Sequence, residues 1–259
     1  MIRIEHLYAG YGEKPVLQDL SFSVPKGTVT TLIGPNGCGK TTLLRVLTGQ
    51  LSPAAGTVSL CGKDLQAYGR KELARTAALL PQNRNVPELT VETLVEHGRY
   101  PHLGLNRRLT GKDHEIVALA MAQADVAHLG DTPLRELSGG QQQRAYIAMT
   151  LAQDTELIIL DEPTSHLDLS RQFDLLALIR QLKEAGKTVL LVLHDLDHAL
   201  RCSDRLVLLE EGRLIQEGTP KALLQSGALE QVFRVRIREA EGGYVFLPAE
   251  EKDLRNINI

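Results

Sequence analysis

The sequence predicts an α/β protein whose core is a mostly parallel sheet. Three short apolar runs end in polar residues or glycine, and they occupy residues 28–34, 156–162 and 187–195. Apolar residues on both faces are typical of parallel strands that helices cover on each side. Stretches compatible with a helix follow these runs at residues 40–49, 165–186 and 196–203. This alternation predicts a doubly wound sheet.

Two other regions depart from that rhythm. The first 30 residues alternate apolar and polar side chains around a glycine-containing turn, which predicts antiparallel strands. Helical periodicity dominates further along, so we expect a helical lobe at about 88–155. We place this lobe inside one domain that spans residues 1–237, followed by a C-terminal tail at 238–259.

Composition excludes several classes of protein. The 259 residues are 43% hydrophobic and 24% charged, as in ordinary globular proteins, and the net charge of −3 does not favour nucleic acid as a partner. No apolar stretch approaches the roughly 20 residues that span a bilayer. The three cysteines are far apart, which fits neither a disulfide framework nor a metal site. We therefore expect a soluble, cytoplasmic chain.

A glycine-rich stretch between the first apolar run and its helix has the pattern of a phosphate-binding P-loop. Its sequence, GPNGCGKT, fits GxxxxGK[ST]. Lys40 is expected to reach the phosphates and Thr41 to bind Mg²⁺. The alternative is a glycine-rich turn with an accidental lysine. The candidate phosphate-binding residues are Gly34, Pro35, Asn36, Gly37, Cys38, Gly39, Lys40, Thr41 and Thr42.

A second apolar run ends in two carboxylates. Asp161 and Glu162 follow it directly, where a carboxylate is costly unless it meets a cation or a reacting group. Asp161 suits the surroundings of a metal ion, and Glu162 suits the activation of an attacking water. The alternative is a strand that ends in solvated acids.

Together with the stretch LSGGQQQR, these patterns resemble the nucleotide-binding subunits of ABC transporters. That stretch matches the signature sequence of the family, and the other motifs follow in the family's order over about residues 1–225. The resemblance implies the ABC ATPase fold, with ATP and Mg²⁺ as cofactors. It assigns Tyr11 to adenine, Gln82 to the metal and the reaction, and His194 to the γ-phosphate. The D-loop is SHLD, which ends at Asp168, and the resemblance makes Asp168 a candidate nucleotide-binding residue. We assign His166 within the D-loop no catalytic role.

The resemblance also implies that two chains act together. The signature residues Ser138, Gly139, Gly140 and Gln141 cap the ATP that a second copy holds, so ATP closes the dimer and hydrolysis reopens it. The expected partners are transmembrane permease subunits and, indirectly, a substrate-binding protein. The chain would lie peripherally at the cytoplasmic face of the inner membrane.

Two segments of the chain resemble one subfamily of importers. GRYPHLG at 98–104 and the stretch at 218–235 resemble the importer subfamily for iron-siderophore complexes, haem and cobalamin. In the family, the region at 85–104 receives a helix of the permease, so we expect Arg99 and Leu103 to lie on that docking surface. Another ABC importer or exporter, or a soluble ABC ATPase, remains the alternative.

Overall fold

A computed structural model describes residues 1–12, 14–82, 86–104, 106, 108–165 and 167–249. The strands are β1 (Ile2–Tyr11), β2 (Lys14–Val24), β3 (Val29–Ile33), β4 (Ala55–Leu60), β5 (Lys63–Asp64), β6 (Ala77–Leu80), β7 (Leu157–Asp161), β8 (Thr188–Val192), β9 (Arg205–Glu210), β10 (Arg213–Gly218), β11 (Val235–Ala240) and β12 (Gly243–Pro248). The helices are α1 (Lys40–Leu47), α2 (Arg70–Thr76), α3 (Val91–His97), α4 (Gly111–Gln123), α5 (Gly139–Ala152), α6 (Leu169–Glu184), α7 (Leu196–Cys202), α8 (Pro220–Ser226) and α9 (Ala228–Phe233).

The chain divides into two compact units. One contains residues 1–66 and 190–259, and the other contains residues 67–189. The boundary at residue 189 falls inside β8, so this buried strand carries the chain from the second unit back to the first.

The first unit combines an antiparallel sheet with parallel strands. β1 pairs antiparallel with both β2 and β4, and its apolar side chains are buried on alternate positions. β3 runs parallel to β9, and all five of its residues are buried. Its fully buried pattern explains why the sequence there is an unbroken apolar and threonine run rather than an alternating one. β11 and β12 form an antiparallel hairpin, most of which lies in the segment 238–259 where the sequence predicted only a tail.

The second unit carries β6, β7 and the central helices. β6 runs parallel to β7, which is buried along its whole length. Helices α3, α4 and α5 pack against one another, and α5 buries Tyr146, Ile147 and Leu151. The predicted parallel sheet, antiparallel N-terminal subdomain and helical region are therefore confirmed. The exact bounds that we placed at 88–155 and 237 stay a prediction.

None of the helices in the described part of the chain is long and apolar enough to cross a membrane.

Candidate nucleotide site

The P-loop connects the buried strand β3 to helix α1 through backbone that only glycine adopts readily. Gly34, Gly37 and Gly39 have φ values of 149°, 80° and 105°. A Cβ at Gly34 would collide with the carbonyl oxygen of Leu209, and one at Gly39 would lie 2.6 Å from Cδ2 of Leu17. Backbone conformation therefore favours glycine at all three positions, and close packing adds to this at Gly34 and Gly39.

Lys40 is the first residue of α1 and is only 6% exposed. Its Nζ donates hydrogen bonds to the carbonyl oxygens of Gly34, at 2.7 Å, and Pro35, at 3.0 Å. The N-cap residue of α1 is Gly39, which has no side chain to accept from the first N–H groups of the helix. The ammonium group of Lys40, fixed beside a helix N-terminus, favours the binding of a phosphate group.

Glu162, the predicted catalytic carboxylate, lies beside Gln82, which the resemblance assigns to the metal and the reaction. Nε2 of Gln82 donates to Oε2 of Glu162 at 2.7 Å. Gln82 follows β6 and Glu162 follows β7, and these strands are parallel, so their carboxyl ends meet at one edge. Asp161, the last residue of β7, is 4% exposed.

Glu162 has an unusual backbone conformation. Its φ is 50°, in the left-handed region that non-glycine residues adopt at some cost. The N–H of Ser165 donates to the carbonyl oxygen of Glu162 at 3.2 Å, and this turn holds the conformation. Strained residues of this kind cluster at functional sites, which supports a reactive role for Glu162.

His194 and Tyr11 lie in the first unit. His194 is exposed just after β8, and Asp195 caps the following helix α7 by accepting from the N–H of His198. Tyr11 is 46% exposed, and its hydroxyl accepts from NH1 of Arg45 at 2.9 Å. The guanidinium carbon of Arg45 lies 5.7 Å from the ring centroid, a cation–π distance.

The signature residues and the D-loop aspartate open into one cavity of about 450 Å³, which we call the signature cavity. Ser138 caps α5 and forms a reciprocal capping box with Gln141, while Asp168 caps α6. Two helix N-termini and two arginines therefore face the same space, which favours an anionic ligand. The lining residues are Ser138, Gly139, Gly140, Gln141, Arg144, Leu167, Asp168 and Arg171.

Sequence reasoning missed the two arginines of this cavity. Arg144 ends the signature stretch and lies three residues after Gln141, and Arg171 lies three residues after Asp168. Residues three apart on a helix are neighbours, so this spacing from predicted ligands was the available signal. His166 of the D-loop lies outside the described residues.

The expected docking surface needs one correction. Arg99 is only 6% exposed, because it donates to Oδ1 of Asp113 and to the carbonyl oxygen of Ala152, both at 2.8 Å. It is therefore a structural residue and not part of a docking surface. Leu103 does line an open cavity of about 440 Å³, together with Lys71, Tyr100 and Gly104. Asn85, at the start of the predicted segment, lies outside the described residues.

Comparison with known proteins decides the family. The family model for the ABC transporter matches residues 17–165. The chain is 46% identical to the ferric enterobactin transport ATP-binding protein of Escherichia coli strain K12, over 91% of this chain and 88% of that one. It is 45% identical to the iron(3+)-hydroxamate import ATP-binding protein of Bacillus subtilis strain 168, over 89% and 87%. The chain belongs to the ABC transporter family.

Two solved structures agree with this assignment. One is an inward-facing putative metal-chelate type ABC transporter, with a TM-score of 0.81 and 27% identity over 98% of this chain and 99% of that one. The other is a dimeric ATP-binding cassette in a post-hydrolysis state bound to ADP and Pi, with a TM-score of 0.76 and 26% identity over 85% and 99%. As an ABC transporter ATP-binding subunit, the chain hydrolyses ATP to drive transport.

Proposed function

We propose that this chain is the ATPase subunit of an importer for iron chelates of the siderophore type. The observation that carries this proposal is that two relatives of similar identity are an iron(3+)-hydroxamate import ATP-binding protein and a ferric enterobactin transport ATP-binding protein. These chelates differ in chemistry but share a ferric centre. Because the substrate does not touch the ATPase subunit, the likeness concerns the transport system as a whole.

The P-loop is proposed to hold the phosphates of ATP. The N–H groups of Asn36, Gly37, Cys38 and Gly39 and the first turn of α1, with Thr42, would surround the β-phosphate. Lys40 would exchange its carbonyl partners for the β- and γ-phosphates, which are stronger acceptors for an ammonium. Tyr11 would stack on the adenine through the ring face that Arg45 does not cover.

The donor set fits Mg²⁺. Thr41, Gln82 and Asp161 offer a hydroxyl, an amide oxygen and a carboxylate, which are the hard oxygen ligands that this ion prefers. When bound, the ion would neutralise charge on the β- and γ-phosphates.

Glu162 is proposed to act on the water that attacks the γ-phosphorus. Its carboxylate would accept a proton from the water while the bond from the γ-phosphorus to the bridging oxygen of ADP breaks. Gln82 fixes the direction of this carboxylate through the 2.7 Å hydrogen bond. His194 would donate to a γ-phosphate oxygen from its exposed position after β8.

The signature cavity is proposed to bind the ATP of a second copy. Ser138 and Gly139 are exposed on the surface of their unit, as a ligand delivered by another chain requires. Closing and reopening of this dimer would move transmembrane permease subunits, and these in turn would receive the chelate from a binding protein. The chain would then work as a peripheral subunit at the cytoplasmic face of the membrane.

The test is uptake of ⁵⁵Fe by cells of the source organism in which the gene for this chain is inactivated. We expect loss of uptake from ferric siderophores of the hydroxamate or catecholate class, with uptake of ⁵⁵Fe²⁺ unchanged as the control. Wild-type protein should restore uptake and the Lys40→Ala variant should not. Normal siderophore uptake in the inactivated strain, with an active purified ATPase, would assign the chain to another ABC transport system.

A further inference from the structure

Asp125 connects two helices that form walls of the signature cavity. It lies just after α4, and its Oδ2 accepts hydrogen bonds from NH1 of Arg144 at 2.6 Å and from NH1 of Arg171 at 3.2 Å. Its carbonyl oxygen also accepts from NH1 of Arg144, at 3.1 Å. One carboxylate oxygen therefore joins α5, which begins with the signature residues, to α6, which begins after the D-loop.

Each arginine belongs to the part of its helix that faces the cavity. Arg144 lies between one and two turns after Ser138 on α5. Arg171 lies in the first turn of α6, and its N–H donates at 2.9 Å to the side chain of Asp168, the capping residue. Because this donor is the backbone N–H, Arg171 and Asp168 belong to the same capped turn at the wall of the cavity.

Global stability accounts for only part of this arrangement. The side chains of Asp125 and Arg171 are 59% and 41% exposed, and exposed ion pairs contribute little to folding. The Arg144 side chain is 14% exposed, so its pair with Asp125 contributes to folding as well. Without the carboxylate, however, two guanidinium groups would face each other with their shared counter-charge removed. Hydrogen bonding from Arg144 lowers the pKa of the Asp125 carboxyl, so this counter-charge is present at neutral pH.

We propose that Asp125 is a positioning residue for the ATPase reaction, which holds Arg144 and Arg171 so that the signature cavity fits the nucleotide of a second copy. This inference rests on the proposed function, because it assumes that the cavity closes on another chain. Asp125 does not line the cavity and acts through the two arginines alone.

The test measures the dissociation constant of the ATP-bound dimer by sedimentation equilibrium in the Glu162→Gln chain, which is expected to bind ATP without turnover. Adding Asp125→Asn should raise this constant about tenfold, or about threefold for each of the two cavities. Asparagine tolerates the left-handed φ of 54° at this position, so the backbone is preserved. Asp125→Gly also keeps the backbone and should give the same result.

Asp174→Asn is the matched control. Asp174 pairs with the same Arg171 at 3.2 Å, but it does not line the signature cavity. We expect less than about a twofold change in the dimer constant for this variant. Binding of a fluorescent ATP analogue to the monomer should be the same in all variants, since the P-loop is unaltered.

A double-mutant cycle with Arg171→Gln separates positioning from a general structural effect. If Asp125 acts through the arginines, its substitution should raise the constant by clearly less than tenfold once Arg171 is replaced. An undiminished effect in that background, or an Asp125→Asn dimer within twofold of its parent, would overturn the inference alone. A parent chain that stays monomeric with ATP would instead overturn the two-chain function on which it rests.

Discussion

The P-loop and the signature cavity both favour phosphate, but they are built differently. In the P-loop, glycines with positive φ and the buried Lys40 set the backbone, and the N-cap of α1 is Gly39, which has no capping side chain. In the signature cavity, the helix N-termini already carry side-chain caps from Ser138 and Asp168, and both caps are exposed. A backbone cradle around a buried lysine suits a ligand held by its own chain. An exposed, capped surface suits a ligand that another chain presents.

The largest expected effect comes from removing the charge of the P-loop. Lys40→Ala should weaken ATP binding about 10- to 100-fold and abolish turnover, because the backbone alone only partly neutralises the phosphates. Isothermal titration and a phosphate-release assay would measure the two quantities. Lys187→Ala is the control, since this lysine pairs with Asp154 on the surface. Full activity of Lys40→Ala would refute the assignment of the P-loop.

The next effect separates ATP binding from hydrolysis. Glu162→Gln should reduce turnover by roughly 10² to 10⁴ while ATP still binds, because the amide cannot accept the proton of the attacking water. The variant should accumulate as an ATP-bound dimer in light scattering after size exclusion. Adding Ser138→Arg should return it to a monomer that still binds ATP. A dimer that survives Ser138→Arg would show that the signature cavity does not act on a second chain.

Much of this contrast could be predicted from the sequence, because both sites depend on local patterns. Buried parallel strands appear as continuous apolar runs, so β3 and β7 were predicted to within about one residue at each end and β8 to within about three. The glycines of the P-loop mark its backbone, and Ser138 marks a helix start. The resemblance to the family supplied the roles of Gln82 and His194, which no local pattern specifies.

Contacts between distant residues could not be predicted in this way. Arg99 was expected on a docking surface because the region at 85–104 receives a permease helix in the family that the chain resembles; its partners Asp113 and Ala152 are 14 and 53 residues away. Asp125 likewise meets Arg144 and Arg171 only through the packing of three helices. The β11–β12 hairpin was missed because its residues are exposed or only partly buried and give a weak pattern.

A third prediction tests whether the backbone of the P-loop is as restricted as its φ values indicate. Gly34→Ala should lower the free energy of unfolding by about 3 kcal/mol, because the new Cβ meets the carbonyl oxygen of Leu209. Gly37→Ala should cost only about 1 kcal/mol, since its φ is 80° but its Cβ would point into open space. Urea unfolding would measure both. Equal costs would mean that conformation rather than close packing restricts the loop.

The smallest expected effect concerns the contact between helices α4 and α5. Arg99 donates to Asp113 near the start of α4 and to the carbonyl oxygen of Ala152 at the end of α5. The Thr110 hydroxyl donates to Asp113, and together with the Thr110 N–H and Arg99 this lowers the pKa of Asp113 from 3.8 to about 2. A lowered carboxyl pKa stabilises the fold above the unfolded value and loses that contribution as pH falls through the folded value. Asp113→Asn should therefore cost about 1–2 kcal/mol at pH 7 and progressively less from about pH 5 towards pH 2.

Urea unfolding at several pH values would measure this difference, with Asp154→Asn as an exposed control that should change stability by less than about 0.5 kcal/mol. ATP binding by the Asp113→Asn monomer at pH 7 should be normal, because Asp113 supports the signature helix and not the P-loop. A cost that stays constant down to pH 2 would mean that packing around the amide, rather than the lost charge, destabilises the variant. Weakened ATP binding would mean that Asp113 also affects the P-loop, so that the P-loop and the signature cavity do not act independently.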